Sequence, residues 1–143
     1  MQEMLAIVAL EPTMALFTKH TRIFVVRPKG QQHFTLPTYE RKPGDDLLQP
    51  VVKGLERDLH YKVRQAQLED CLTLQEGDTK TTFYMGEVRS SYAVGYESNM
   101  EEIGYLMVAE LMGTPNGRMY RKVFEHFGCE FEDETADTEE TNA

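Results

Sequence analysis

The chain has 143 residues, 41% hydrophobic and 27% charged, the proportions of an ordinary water-soluble domain. Its longest apolar runs are only strand-length, which excludes a membrane-spanning helix, and no basic region followed by a cleavage site marks a secretory leader, so cytoplasm is the expected location. The formal charge of −9 is concentrated at one end: residues 130–143 hold seven of the 24 acids and no Lys or Arg, leaving 17 acids against 15 cations, a body of −2 without a basic stripe. Duplex DNA is therefore not an expected partner.

In chain order, residues 4–10 (MLAIVAL) form an apolar run that predicts a buried strand, and residues 14–18 suggest a second. Residues 22–27 (RIFVVR) have the β-branched and aromatic content of a strand, ended by Pro28-Lys29-Gly30. A short extended piece at 34–36 is closed by Pro37, which biases Leu36 away from helical dihedrals. Pro43-Gly44 makes a turn, and Asp45 or Asp46 can cap a following helix. Leu47, Leu48, Val51, Val52, Leu55 and Leu59 recur at three- and four-residue steps, predicting a helix over 46–59. Pro50 is compatible with it only in the first turn, and Gly54 weakens it by about 1 kcal/mol.

Residues 66–74 and 81–89 read as strands around a turn at "QEGD", and residues 90–99 as a loop. Residues 103–111 read as a strand, or a strand passing into a helix. Residues 118–127 form a final amphipathic helix with Met119, Val123 and Phe127 at four-residue steps. Helices covering a mixed sheet make an α/β (α+β) sandwich. The predicted organisation is a domain at 1–129 and a disordered acidic tail at 130–143. Cys71 and Cys129 suggest a reducing compartment. His126 and Cys129 fall well short of a zinc signature, and Tyr84, Tyr92 and Tyr96 read as packing residues.

Residues 22–61 resemble the Nudix hydrolase family, whose box is G-x(5)-E-x(7)-R-E-U-x-E-E-x-G-U, with U an aliphatic or aromatic residue. "RIFVVRP" matches the strand before the box, "FTLP" the approach, Pro43-Gly44 the turn, and Leu55 and Tyr61 the two U positions. The later "EEIGYLMVAEL" is similar to the family's late strand and following helix. The resemblance implies a Nudix-like α/β/α sandwich with a mixed central sheet. The departures fall on the chemistry. The paired glycines before the box become Thr38 and Tyr39, the first glutamate Asp45, the arginine Lys53 and the glutamate after it Gly54. The Glu-Glu pair becomes Arg57 and Asp58, and the closing glycine His60.

Family members use those helix carboxylates to hold Mg²⁺ on a diphosphate and to position the attacking water. Such an ion needs hard oxygen ligands in near-octahedral order. Here the corresponding face offers Lys53, Arg57 and Asp58, formally +1, and a cation beside Asp58 competes with a divalent ion. No catalytic residues, metal site or cofactor are therefore expected. The expectation is a non-catalytic Nudix-like module that binds or scaffolds, as degenerate relatives do in RNA-processing and ribosome-associated assemblies. Its partner would be a protein, a second copy, or a small nucleotide or RNA end, and not a membrane. Lys53 and Arg57, four apart, can clamp a phosphate, and Tyr39 can stack on a base or plug the cleft. The alternative is a divergent hydrolase of nucleoside-diphosphate-linked compounds. It would use Asp45, Asp58 and a loop acid among Glu97, Glu101 and Glu102, with Mg²⁺ or Mn²⁺ at Asp58.

Overall fold

A computed structural model describes residues 2–11, 16–46, 48–59, 69–86 and 99–131. β1 (Gln2–Val8) and β2 (Arg22–Pro28) carry the apolar runs. Their side chains alternate between two cores. Leu5, Ile7, Phe24 and Val26 enter one, and Ala6, Val8, Ile23 and Val25 the other. Strands buried on both faces need no polar alternation, which is why these segments read as unbroken hydrophobic runs.

β3 (Thr38–Arg41), β1, β5 (Thr79–Met85) and β4 (Glu69–Glu76) form a mixed four-stranded sheet in that order. β1 pairs antiparallel with β3 and parallel with β5, and β4 pairs antiparallel with β5. β2 pairs antiparallel with β6 (Met100–Met107). The end of β1 joins the two sheets: Phe24 N–H donates to Ala9 O at 2.8 Å, and Glu11 N–H to Arg22 O at 2.9 Å.

α1 (Gln49–Leu59) covers one face, burying Val51 and Leu55 beside Leu48 of the preceding turn. Pro50 falls in its first turn, where a missing N–H costs nothing. α2 (Val108–Met112) and α3 (Gly117–His126) cover the other face through Val108, Leu111, Tyr120, Val123 and Phe124. The expected sandwich is therefore present. The reading of 103–111 as strand passing into helix matches β6 and α2.

Some expectations shift. Residues 38–41, which have no apolar alternation and carry no predicted element, pair through their backbone with β1. Of the strand expected at 14–18, residues 14 and 15 lie outside the described residues, and Thr18 makes only an isolated bridge to Glu130. In the expected extended piece at 34–36, Thr35 alone bridges, to Val26. β4 and β5 run to a tight Gly77-Asp78 turn, narrower than "QEGD" suggested. The loop expected at 90–99 lies outside the described residues except Asn99.

Gly54 sits where α1 crosses β3. A Cβ there would lie 2.2 Å from Tyr39 Cε1 and 2.6 Å from Cζ, and Tyr39 is itself 8% exposed. The helix thus gives up propensity so that an aromatic ring can lie against its backbone. Gly54→Ala recovers about 1 kcal/mol of helix propensity but overpacks a buried ring. The expected net effect is a destabilisation of about 1–2 kcal/mol in urea unfolding. Combining it with Tyr39→Leu should relieve most of that loss. A stabilised single variant would show that the ring yields.

Candidate functional site

The C-terminal turn of α1 meets β3 and the start of β6 at Asp58, which is completely buried. Its Oδ1 accepts from Arg57 Nε at 3.0 Å and from the Asn99 backbone N–H at 3.0 Å. Its Oδ2 accepts from Arg57 Nη2 at 2.9 Å and from the Tyr39 hydroxyl at 3.2 Å. An ionised carboxylate offers about four lone-pair sites, so these four donors saturate it. The Arg57 guanidinium also lies 6.0 Å from the centre of the Tyr39 ring. Burial alone would push the Asp58 carboxyl up. The Arg57 hydrogen bonds and charge, the Asn99 N–H and the Tyr39 hydroxyl outweigh it and hold the pKa below the ordinary carboxylate value. Burial and the neighbouring Asp58 charge push the Tyr39 phenol far up, so it stays protonated and donating.

The residues expected to bind or react are placed as follows. Tyr39 is in the core and hydrogen-bonded inward, so it is not open to stack on a base. Arg57 is spent on Asp58, with its side chain 42% exposed. Lys53 is exposed on the same helix. The expected Lys53–Arg57 phosphate clamp thus has one of its two charges neutralised. Asp45 closes the turn before α1, accepting from Lys42 N–H at 2.9 Å, while Arg41 Nη2 holds its carbonyl at 3.3 Å. Glu101 and Glu102 are exposed at the start of β6, and Glu102 is paired across to Arg27 at 3.0 Å. Glu97 lies outside the described residues. No group of three or more His, Cys, Asp or Glu among the described residues could hold a metal. A divalent ion at Asp58 would have to displace a guanidinium, a phenol and a backbone amide, so this donor set does not fit one.

A second feature was not foreseen from the sequence. Beside α1, on the same sheet face, a cavity of about 200 Å³ is lined by Glu3 and Leu5 of β1, Arg41 of β3, Cys71 and Thr73 of β4, and Lys80, Thr82 and Tyr84 of β5. Register alone assembles it: Glu3 stands opposite both Arg41 and Lys80, and Thr73 opposite Thr82. Arg41 Nη1 pairs with Glu3 Oε2 at 3.1 Å, but its Nε–H is buried with no hydrogen-bond partner. The two threonine hydroxyls lie 3.0 Å apart. With Arg41 and Lys80 against Glu3, the cavity has formal charge +1 and an unsatisfied buried donor. Those are features that suit an anion.

No family model matches the sequence, and no curated protein matches it either. Solved structures do match in three dimensions. The chain superimposes on the E. coli dihydroneopterin triphosphate pyrophosphohydrolase with a TM-score of 0.62 at 10% identity, covering 87% of this chain and 93% of that one. It matches the C-terminal domain of mouse MUTYH, solved in complex with human PCNA, with a TM-score of 0.61 at 10% identity, covering 92% of each. A MutT/nudix family protein from Enterococcus faecalis gives 0.56 at 11% identity, over 74% of this chain. The chain spans only 43% of that protein's length. The molecule is thus an α/β/α sandwich with the fold of these structures. More particularly, it has the Nudix fold.

The buried carboxylate has two pH signatures. Asp58 has a lowered pKa when folded, so its contribution is present above the unfolded value near 3.8 and is lost as pH falls below it. Tyr39 has a raised pKa, so its contribution is present below the unfolded value of 10.0 and is lost as pH rises above it. Asp58→Ala, which leaves a buried phenol unpaired, should cost about 1–3 kcal/mol at neutral pH. It should also flatten the acid limb of stability below about pH 4. Tyr39→Phe should lose the hydroxyl's share of the alkaline limb while keeping the acid one. Denaturant titrations across pH 2–11 read both, and an unchanged acid limb in Asp58→Ala would show that the carboxylate is not held as described.

Proposed function

We infer that this chain is a non-hydrolytic Nudix-fold module that works by binding. The reading rests on one observation above all: the only carboxylate left on the box-helix face is saturated by four protein donors. Hydrolysis of a diphosphate by this route needs that face to gather anions around a metal and a water. Here the face neutralises itself, and the aromatic ring of Tyr39 fills the place beside Gly54.

The ligand that best fits the remaining cleft is a small anion. Its volume, about 200 Å³, is below the roughly 300–1,000 Å³ typical of sites that enclose a drug-sized ligand. A phosphate or phosphate-bearing end fits better than an enclosed nucleotide. Arg41 Nε, the Lys80 ammonium and the Thr73 and Thr82 hydroxyls would supply the donors, with Tyr84 as an apolar wall. A protein partner is the second reading. It is favoured by the MUTYH domain, a fold neighbour of near-equal coverage whose structure holds PCNA.

Incubation of the full chain with ADP-ribose, dinucleoside polyphosphates and capped RNA, with Mg²⁺ or Mn²⁺, should release no product. Turnover that disappears in Asp58→Ala would sink the non-hydrolytic reading. In calorimetry, inorganic phosphate or a nucleoside monophosphate should bind without metal. Lys80→Ala should weaken that binding about tenfold, equivalent to about 1.4 kcal/mol. Equal affinity in the variant would remove the cleft from the proposal while leaving the catalytic conclusion standing.

A further inference from the structure

The cleft between β1, β3, β4 and β5 is cationic, yet one carboxylate lines it. Glu3 is the only acid among the described residues of its wall. Register fixes it there, opposite Arg41 on β3 and Lys80 on β5. Its Oε2 accepts from Arg41 Nη1 at 3.1 Å. Among the described residues, its Oε1 accepts no hydrogen bond. Arg41 is held on a second side, where Nη2 donates to Asp45 O at 3.3 Å. The guanidinium is thus fixed in place with its Nε–H still unpartnered.

The donor and acceptor inventory of this wall is lopsided. Arg41 and Lys80 can only donate. Thr73 and Thr82, with hydroxyls 3.0 Å apart, share one hydrogen between them and have the other to give. An ionised Glu3 can only accept. A tetrahedral oxyanion that reaches both cations must therefore also lie beside Glu3, because Glu3 touches one cation and stands opposite the other. A bare oxygen on that side meets a carboxylate with no proton between them, which is a repulsive contact. An oxygen that carries hydrogen instead donates to Oε1 and completes it. Inorganic phosphate keeps at least one O–H at neutral pH, sulfate keeps none, and monofluorophosphate has fluorine in its place.

We propose that Glu3 is the specificity-determining residue of the cleft, selecting tetrahedral oxyanions that keep a hydroxyl, inorganic phosphate above all, over sulfate and others that have none. This selection rests on the reading of the cavity as an anion site and narrows its ligand. Glu3 offsets one of the two cations and so lowers the affinity for every anion. In return it makes the proton, rather than size or shape, the feature that is read. The arrangement also explains why a cationic cleft has a carboxylate at its centre of register: Glu3 positions Arg41 and leaves one oxygen for the ligand.

Calorimetry on the full chain without metal, at neutral pH and constant ionic strength, tests this with three probes: inorganic phosphate, sulfate and monofluorophosphate. Phosphate should bind at least about tenfold more tightly than either of the others. In Glu3→Gln the amide oxygen can still accept from Arg41 Nη1, which places an NH₂ donor where Oε1 was. Sulfate should then bind about tenfold more tightly than it does to the unaltered chain, and the preference for phosphate should collapse. If no oxyanion binds, the anion-site reading falls and this selection with it. If phosphate binds but sulfate and monofluorophosphate match it, or if the preference survives in Glu3→Gln, the anion site stands and the role of Glu3 is overturned. The comparison of the three anions needs no variant, so a folding defect in Glu3→Gln would not protect the idea.

Discussion

The arrangement of the α1 side depends on one buried charge. A carboxylate with no exposure to water is tolerable only if its partners replace the lost hydration. Asp58 recruits those partners from three places: Arg57 on its own helix, Tyr39 on β3 and the Asn99 amide at the start of β6. Each partner is thereby fixed in turn. Tyr39 must lie flat under α1, which needs Gly54 to have no side chain. Asn99 must approach the helix end, which sets where β6 begins. Arg57, whose side chain is 42% exposed, carries the compensating charge without being buried itself.

The same demand sets Asp58 apart from a carboxylate that holds a metal. A metal site needs ligands with free lone pairs and an approach for water. A structural carboxylate needs its lone pairs filled and water kept out. Asp58 cannot meet both demands, and its depressed pKa reflects donors already spent on it rather than readiness for catalysis. The cavity between β1, β3, β4 and β5 has the opposite character, with partly exposed cations and an unpaired Arg41 donor. The two sites share a sheet face, yet one is a stabilising lock and the other keeps unsatisfied polar groups that a ligand could complete.

Much of this was legible in residue order, and the boundary is physical. Helix periodicity located α1, and the adjacency of Arg57 and Asp58 was enough to see that a cation would compete for the carboxylate. Nearest neighbours need no fold to meet. Gly54, by contrast, reads as a flaw until Tyr39 is known to lie across it, because those residues are 15 positions apart and meet only through packing. Arg41, Lys80, Thr73 and Thr82 belong to three different strands and come together only once register is set. β3 was invisible because its pairing uses backbone groups, which leave no hydrophobic signature.

Charge placement follows the same logic at larger scale. A near-neutral body hides both the cationic cleft and the cationic stripe of α3, since a net sum discards position. The cleft's Arg41 and Lys80 are moderated by Glu3 within the sheet. The α3 stripe has only Glu125 of its own to balance three cations. Phe131 packs beside it, with its ring 4.6 Å from the Arg121 guanidinium carbon. Two cationic features on opposite faces of one sandwich thus have different origins. The cleft holds about 200 Å³ between strands whose register brings Arg41 and Lys80 to Glu3, whereas helix periodicity gathers Arg118, Arg121 and Lys122 on α3, so the same charge is assembled by two different geometries.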